Sequence, residues 1–264
     1  MLVIKNLTKR FSLGGGSVNT AVDRVDLTVA KGQFVTLIGS NGAGKSTLLN
    51  LIAGRYLPDE GSVILDGTDI TRWSEHRRAA YIGRVFQDPM QGTAASMTVE
   101  ENLSIAERRG MRRTLGPGVT RSGRIRYKEL LSQLGLGLEN RLQSEVGLLS
   151  GGQRQSLALI MATMTRPSLL LLDEHTAALD PKTAQQVLEL TAKIVAERQL
   201  TTLMVTHNLE HALRFGDRTI MMHEGRIVLD LSGPERARMT VQDLLQQFSR
   251  VRGQQLLDDR LLLA

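Results

Sequence analysis

The chain contains one glycine-rich stretch whose residue types suit the binding of phosphate groups. The pattern G-x-x-x-x-G-K-[ST], with one residue beyond it, is matched by Gly39, Ser40, Asn41, Gly42, Ala43, Gly44, Lys45, Ser46 and Thr47. Glycine lets the backbone curl so that successive N–H groups point at phosphate oxygens. We expect Lys45 to contact the β- and γ-phosphates of a nucleotide and the Ser46 hydroxyl to bind Mg²⁺. Alone, this stretch predicts a nucleoside triphosphate enzyme and does not separate ATPases from GTPases or kinases.

Two acidic residues follow a run of four leucines. The run covers residues 169–172, and Asp173 and Glu174 come directly after it. Such a run is typical of a strand buried on both faces, which places Asp173 at the strand end to hold Mg²⁺ directly or through water. Because side-chain direction alternates along a strand, Glu174 points elsewhere, where it can reach a water in line with the γ-phosphate and act as general base. The alternative is a strand followed by a solvated acidic turn.

A second candidate phosphate cradle precedes a helix-length apolar segment and consists of Ser150, Gly151, Gly152 and Gln153. Ser150 and Gln153 have capping-box spacing, and the glycines leave backbone N–H groups bare at a helix N-terminus, where anions bind. An isolated helix cap is the alternative. With Leu149 the stretch reads LSGGQ, and through this string the sequence resembles the ABC-type ATPases.

The resemblance to that family covers about residues 2–230, with the motifs in the expected order. It implies that the nucleotide is ATP and that two subunits face each other head-to-tail. Each LSGGQ stretch would then bind, in trans, the γ-phosphate held by the phosphate loop of the other subunit. Asp180 matches the family's loop that crosses the dimer interface, so the resemblance implies a contribution to the nucleotide site in trans as well.

Three further positions receive roles from the same resemblance. Phe11 stands where the family places an aromatic ring that stacks on adenine, although tyrosine is more usual there and a core phenylalanine is the alternative. Gln87 matches a glutamine that senses Mg²⁺ and the attacking water. His207 matches a histidine that contacts the γ-phosphate and holds Glu174, and it follows a predicted strand, at the sheet edge where such folds bind ligands. The predicted catalytic residues are Glu174, His207, Lys45 and Gln87, and the predicted Mg²⁺ ligands are Ser46, Gln87 and Asp173.

The elements that must hold these residues alternate between strand-like and helix-like patterns. A helix is predicted at residues 45–53, directly after the phosphate loop. Strands are predicted at residues 34–38, 168–172, 202–205 and 219–222. This alternation predicts an α/β fold, a phosphate-loop NTPase core with a mostly parallel sheet flanked by helices. Residues 21–30 alternate like a half-buried strand and, with the opening run, predict an N-terminal antiparallel β subdomain.

The middle of the chain has a different pattern, because no strand is predicted between residues 92 and 165. Thr98 and Glu101 have the spacing of a capping box that opens a helix. Two more helices are predicted at residues 126–134 and 150–164. Residues 108–126 contain glycine, proline and many arginines, which predicts an exposed loop or a frayed connection.

These patterns predict one ABC ATPase domain over residues 1–240. Its core would comprise residues 1–91 and 166–240, with a helical subdomain at 92–165 inserted between them. A short C-terminal helix is predicted at residues 241–248, followed by a tail to residue 264.

Composition limits the cellular location and the kinds of partner expected for this protein. The chain has no cysteine, which excludes a disulfide framework and a cysteine-based zinc site. No apolar run approaches the ~20 residues that span a bilayer, and the opening residues meet charge too soon for a secretory signal. We therefore expect a soluble, cytosolic protein, and the resemblance to ABC-type ATPases implies a peripheral subunit at the cytoplasmic face of the inner membrane. The net charge of +6 suits nucleic acid, anionic lipid or an ordinary solvated surface.

The leading hypothesis is the ATP-hydrolysing subunit of an ABC transporter that dimerises on ATP and drives a separate multi-span permease. Residues 173–184 resemble a bacterial importer group assigned to tryptophan, tyrosine or related solutes, in which a solute-binding protein would be a further partner. The rival is a non-transport ABC ATPase acting on nucleic acid or ribosomes. Such proteins carry two nucleotide domains or long insertions, which this sequence lacks, so no nucleic-acid partner is expected. A kinase or GTPase leaves LSGGQ unexplained.

Overall fold

The computed structural model describes residues 1–14, 17–111, 116–247 and 249–250 of the 264-residue chain. They form two β-sheets with helices packed against them. The strands are β1 (Leu2–Gly14), β2 (Ser17–Val29), β3 (Phe34–Gly39), β4 (Glu60–Leu65), β5 (Thr68–Asp69), β6 (Ile82–Val85), β7 (Leu169–Asp173), β8 (Thr202–Val205), β9 (Arg218–His223) and β10 (Arg226–Ser232). The helices are α1 (Lys45–Ala53), α2 (Glu75–Arg78), α3 (Val99–Glu107), α4 (Arg121–Ser132), α5 (Gly151–Thr163), α6 (Pro181–Arg198), α7 (Leu209–Arg214) and α8 (Gly233–Arg238).

The larger sheet has the strand order β10-β9-β3-β8-β7-β6, and only its edge pair β9–β10 is antiparallel. The predicted mostly parallel sheet is therefore present. The four leucines of β7 are fully buried because they alternate between two cores. Leu169 and Leu171 belong to the core that contains α1, whereas Leu170 and Leu172 pack with α5. The parallel strands end at one edge, so the segments after β3, β7 and β8 meet there.

The smaller sheet has the order β2-β1-β4-β5 and is antiparallel throughout. Strand β2 alternates as predicted: Val25, Leu27 and Val29 are buried while the residues between them are exposed. Its buried face shares a core with α1, so this sheet covers one side of the phosphate loop. The predicted N-terminal antiparallel unit is present, and β4 and β5 add two strands that the sequence patterns did not indicate.

Between β6 and β7 the described residues form helices and short turns. Helix α3 begins after Thr98, and both halves of the predicted capping box with Glu101 are formed. Helix α4 begins at Arg121, so the prediction of an exposed loop or a frayed connection over residues 108–126 is wrong from residue 121 onward. The Thr120 hydroxyl accepts the Gly123 N–H at 3.0 Å and starts the helix there. Residues 112–115 lie outside the described residues.

Tertiary contacts hold the first turns of α4 in place. The Arg124 guanidinium donates two hydrogen bonds to Glu100, at 2.6 and 2.7 Å. Arg126 pairs with Glu107, which also accepts the Tyr127 hydroxyl at 2.6 Å. Arginines that a sequence pattern assigns to an open loop are therefore fixed by carboxylates on α3.

The chain beyond α8 returns to the core. Residues 241–247 are helical, in agreement with the prediction for 241–248, and Leu244 is fully buried against Ile38, Met221 and Leu231. Residue 248 and the predicted tail at 251–264 lie outside the described residues. Within the described ranges, no helix has the length and apolar character needed to cross a bilayer.

Candidate nucleotide site

The phosphate loop connects the end of β3 to the start of α1, and two of its glycines are required by close packing. Gly44 is the N-cap of α1 with φ of 96°, and a side chain there would overlap the backbone carbonyl oxygen of Ala21. Gly39 has φ of 153°, and a Cβ on it would overlap the carbonyl oxygen of Met222. The loop therefore lies against β2 and β9 with its backbone exposed on the other side.

Lys45 is buried beside this loop. Its Nζ donates to the carbonyl oxygens of Gly39 at 2.8 Å and Ser40 at 3.0 Å. Burial lowers the pKa of Lys45, and the negative charges of Glu174 and Asp173 oppose that shift. The Lys45 amine therefore lies at the loop. A bound phosphate could take the place of the two carbonyl oxygens as its partner and form a stronger, ionic hydrogen bond.

A cleft of about 410 Å³ opens over the loop, and we call it the phosphate cleft. Phe11, at the far end of β1, lies on its wall, half-buried. Its ring meets Tyr56 edge-to-face with centroids 5.3 Å apart, and Lys9 Nζ lies 5.6 Å from the ring. Adenine stacking on Phe11 stays a prediction. The residues that line the cleft are Phe11, Asn19, Ala21, Asn41, Gly42, Ala43, Gly44, Lys45, Ser46, Thr47 and Glu174.

Asp173, the last residue of β7, contacts the loop and a neighbouring strand with different oxygens. Ser46 Oγ donates to its Oδ1 at 3.4 Å, and Arg84 Nη2 donates to its Oδ2 at 3.1 Å. A hydroxyl and a carboxylate oxygen at the start of a phosphate-binding helix are the hard ligands that Mg²⁺ takes when phosphates supply the rest. The residues present therefore fit the predicted metal.

Glu174 leaves β7 in a left-handed backbone conformation, with φ of 45°. Its N–H donates to the Val205 carbonyl at 3.1 Å, so the chain turns immediately after the strand. Glu174 lines the phosphate cleft and also a second cavity of about 320 Å³, which it shares with His207. His207 Nδ1 lies 3.5 Å from Glu174 Oε2. The histidine is 61% exposed and the carboxylate 20%. A carboxylate aimed at the cleft and held by a solvent-facing imidazole is suited to accept a proton from water.

The LSGGQ residues lie elsewhere in the chain. Ser150 caps α5: its hydroxyl accepts the Gln153 N–H and its own N–H donates to Gln153 Oε1, both at 3.2 Å. Ser150, Gly152 and Gln153 line a separate cavity of about 360 Å³, together with Thr183 of α6. No described residue of the phosphate loop lines that cavity, so one chain does not bring the two cradles together.

Asp180 and Gln87 are likewise outside the phosphate cleft. Asp180 caps α6 by accepting the Thr183 N–H at 3.1 Å. Hydrogen bonds from the Thr183 side chain and then from its backbone lower the pKa of the Asp180 carboxyl. Gln87 is exposed after β6. Both stay predictions as nucleotide-site residues.

Sequence reasoning missed Arg84 and gave no role to His175. Arg84 is a charged residue inside the otherwise apolar strand β6, and that contrast was the available signal. His175 is 2% exposed, and its Nε2 lies 3.1 Å from Thr191 Oγ1. Burial lowers the pKa of His175 to about 4, with His211 contributing, so the ring is neutral at neutral pH.

Comparison with known proteins agrees with this geometry. Residues 22–177 match the family model described as ABC transporter. The chain is 50% identical over 248 residues to a tyrosine transport ATP-binding protein of Clostridioides difficile, covering 94% of this chain and 98% of that protein. The chain belongs to the ABC transporter family. The resemblance predicted from LSGGQ is confirmed, and ATP is the nucleotide of this ABC ATPase.

Further relatives place the ABC ATPase among transport proteins. It is 37% identical over 229 residues to a methionine import ATP-binding protein of Corynebacterium glutamicum, covering 85% of this chain and 60% of that protein. Among solved structures, an ATP-binding cassette dimer in a post-hydrolysis state with ADP and Pi superimposes with a TM-score of 0.76 at 31% identity. That match covers 88% of this chain and 98% of the other. The predicted fold class is confirmed, and the rival nucleic-acid function is not favoured.

Proposed function

We propose that this ABC ATPase hydrolyses ATP with Mg²⁺ as a head-to-tail pair of identical chains at the cytoplasmic face of the membrane, driving a permease that imports a tyrosine-like solute. The observation that carries the proposal is the placement of Glu174. It faces the phosphate cleft with His207 behind it, while the LSGGQ cradle faces a different cavity.

In this proposal the loop amides, Lys45 and the N-terminus of α1 bind the β- and γ-phosphates. Ser46 and Asp173 hold Mg²⁺, with Gln87 as a further contact; the metal, when bound, neutralises phosphate charge. Glu174 accepts the proton of the attacking water, and the 3.5 Å contact with His207 orients the carboxylate. Phe11, on the wall of the cleft, receives the adenine.

A second copy completes the site. The amides at the start of α5 and the Ser150 hydroxyl form an anion cradle, yet they line a cavity without phosphate-loop residues. Two identical chains placed head-to-tail bring the cradle of each to the phosphate cleft of the other, with Asp180 beside the junction. The dimeric form of the solved cassette supports this arrangement.

The permease would dock beside the segment that follows β6. A groove of about 260 Å³ opens there between the core and the helices of residues 92–165, which we propose to treat as the inserted subdomain. It combines apolar surface with two arginines and one glutamate. Its lining residues are Ala53, Glu75, Ala79, Ile82, Arg84, Phe86, Gln91, Gly92 and Arg109. Gln87 follows Phe86 directly, so a partner seated in the groove is one residue from a predicted Mg²⁺ contact.

The solute is assigned from similarity. The relative from Clostridioides difficile is named for tyrosine transport and aligns along nearly the whole of both chains. The match agrees with the prediction made from residues 173–184. A solute-binding protein is the further partner that this import function requires.

The test uses Glu174→Gln, which keeps the side-chain volume and removes the base. We expect the variant to bind ATP and to persist as a dimer in ATP and Mg²⁺, while phosphate release falls by about 100-fold or more. Size-exclusion chromatography with light scattering reports the dimer, and a phosphate assay reports turnover. Glu129→Gln, an exposed change on α4, is the control and should behave as the parent. Turnover within a few-fold of the parent would refute the role of Glu174.

A further inference from the structure

The two carboxylate oxygens of Asp173 contact residues on different sides of the site. Oδ1 faces Ser46 and the phosphate loop, and Oδ2 accepts a hydrogen bond from Arg84 at 3.1 Å. The arginine side chain is 10% exposed and the aspartate 15%, so this is a largely desolvated ion pair. A proposed metal ligand therefore already has a permanent cation on one of its oxygens.

Strand register explains the contact. Strands β6 and β7 are parallel with Arg84 opposite Leu171, and Asp173 lies two residues further along the same face. The guanidinium carbon lies 4.6 Å from the centre of the Phe86 ring, which covers one face of the group. Arg84 Nε and Nη1 are buried without a hydrogen-bond partner among the described residues. Burying an arginine with two unsatisfied nitrogens is costly, and Asp173 is the carboxylate that the structure gives it.

We propose that Arg84 is a positioning residue of the metal site, which holds Oδ2 so that Oδ1 faces Ser46 and which weakens metal binding by its charge. The proposal rests on the assignment of Asp173 to Mg²⁺. Two cations that share one carboxylate repel each other, and in a partly buried site that repulsion is poorly screened. The phosphates of ATP supply the charge that offsets it. Arg84 would then make the affinity for a metal depend on the bound nucleotide, higher with ATP than with ADP.

If the ion pair only joined β6 to β7, its removal would have a different effect on metal affinity. Removing it would lower stability and leave the metal affinity of the folded protein unchanged or weaker. Under the proposal, removing the charge tightens metal binding. Metal affinity therefore separates the two roles, and it can be measured without turnover.

The experiment measures Mn²⁺ binding to the ADP complex, from the electron paramagnetic resonance signal of free Mn²⁺. Arg84→Met and Arg84→Gln remove the charge, Arg84→Lys keeps it, and Arg121→Met makes the same charge change on an exposed position of α4. We expect the two neutral variants to bind Mn²⁺ about tenfold or more tightly than the parent. The lysine variant and the Arg121 control should stay within about twofold of the parent. If Arg84→Met does not fold, the Mn²⁺ affinities of Arg84→Gln and Arg84→Lys provide the test.

Asp173→Asn tests the role of Arg84 separately from the assignment of Asp173 as a metal ligand, on which that role rests. If that variant binds Mn²⁺ as the parent does, Asp173 is not a metal ligand and both proposals fail. If it loses the metal while Arg84→Met and Arg84→Gln bind as the parent or more weakly, the metal site stands and the role of Arg84 is refuted. In the Asp173→Asn background, Arg84→Met should no longer tighten binding.

Discussion

His175 gives the ABC ATPase a stability that depends on pH in a defined window. Thr191 Oγ1 donates to the Val187 carbonyl at 2.7 Å, so its contact with His175 Nε2 requires the imidazole to be the donor. Burial lowers the pKa of His175 to about 4 from an ordinary value of 6.5, so the ring is neutral at neutral pH. As the pH falls, the unfolded chain takes up this proton before the folded one does. The stability held above pH 6.5 is therefore lost between pH 6.5 and 4.

The size of the loss follows from the two pKa values. A difference of 6.5 minus 4 is 2.5 units, and at 1.36 kcal/mol per unit the full loss is about 3 kcal/mol. At pH 5 the loss of unfolding free energy is about 2 kcal/mol. His175→Gln removes the titration and keeps a nitrogen that can donate to Thr191. Between pH 7.5 and 5, the parent should therefore lose about 2 kcal/mol more unfolding free energy than the variant.

The assay is urea unfolding of both proteins at a series of pH values. The extra loss corresponds to a midpoint shift of roughly 1 M urea in the parent relative to the variant. His76→Gln is the control, because it makes the same replacement at an exposed histidine of α2. Parallel curves for the parent and His175→Gln would show that the folded protein binds this proton as readily as the unfolded chain, and the reasoning would fail.

Four other substitutions test the phosphate loop and the shared site. Lys45→Ala should lose ATP binding, and Gly151→Asp should keep its helix but repel the γ-phosphate, since an acid suits a helix N-terminus. Each should be inactive alone, while an equal mixture should regain about a quarter of the parent turnover in a phosphate assay, because half of the dimers carry one intact site. An inactive mixture would contradict sites shared in trans. Gly42→Ala should cost about 1–2 kcal/mol of unfolding free energy in urea, from its left-handed backbone alone. Gly44→Ala should cost more, about 3 kcal/mol or above, because its Cβ also meets the Ala21 carbonyl; equal losses would count against that contact.

Local rules predicted the elements that depend on local contacts. The helix predicted at residues 45–53 and the strand at 202–205 have those bounds in the structure, because a left-handed glycine opens the first and burial on both faces defines the second. The start of α4 was missed because its first turns contain Arg, Ser and Gly, which favour a loop. What makes them helical is the pairing of Arg124 and Arg126 with α3, which no local pattern contains.

The same distinction applies to the site. The phosphate loop, Asp173 and Glu174 could be proposed from the sequence, because the chemistry assigned to them uses residues that are adjacent in the chain. Arg84 was not proposed, because its contact with Asp173 exists only once β6 is paired beside β7 with Arg84 opposite Leu171. A slip of one residue in that register would turn the arginine toward the other core, where it would meet the leucines packed on α5. Asp173 thus fixes the register of β6 as much as Arg84 fixes the carboxylate of Asp173. One ion pair therefore links the pairing of β6 with β7 to the carboxylate that we propose as a ligand of Mg²⁺.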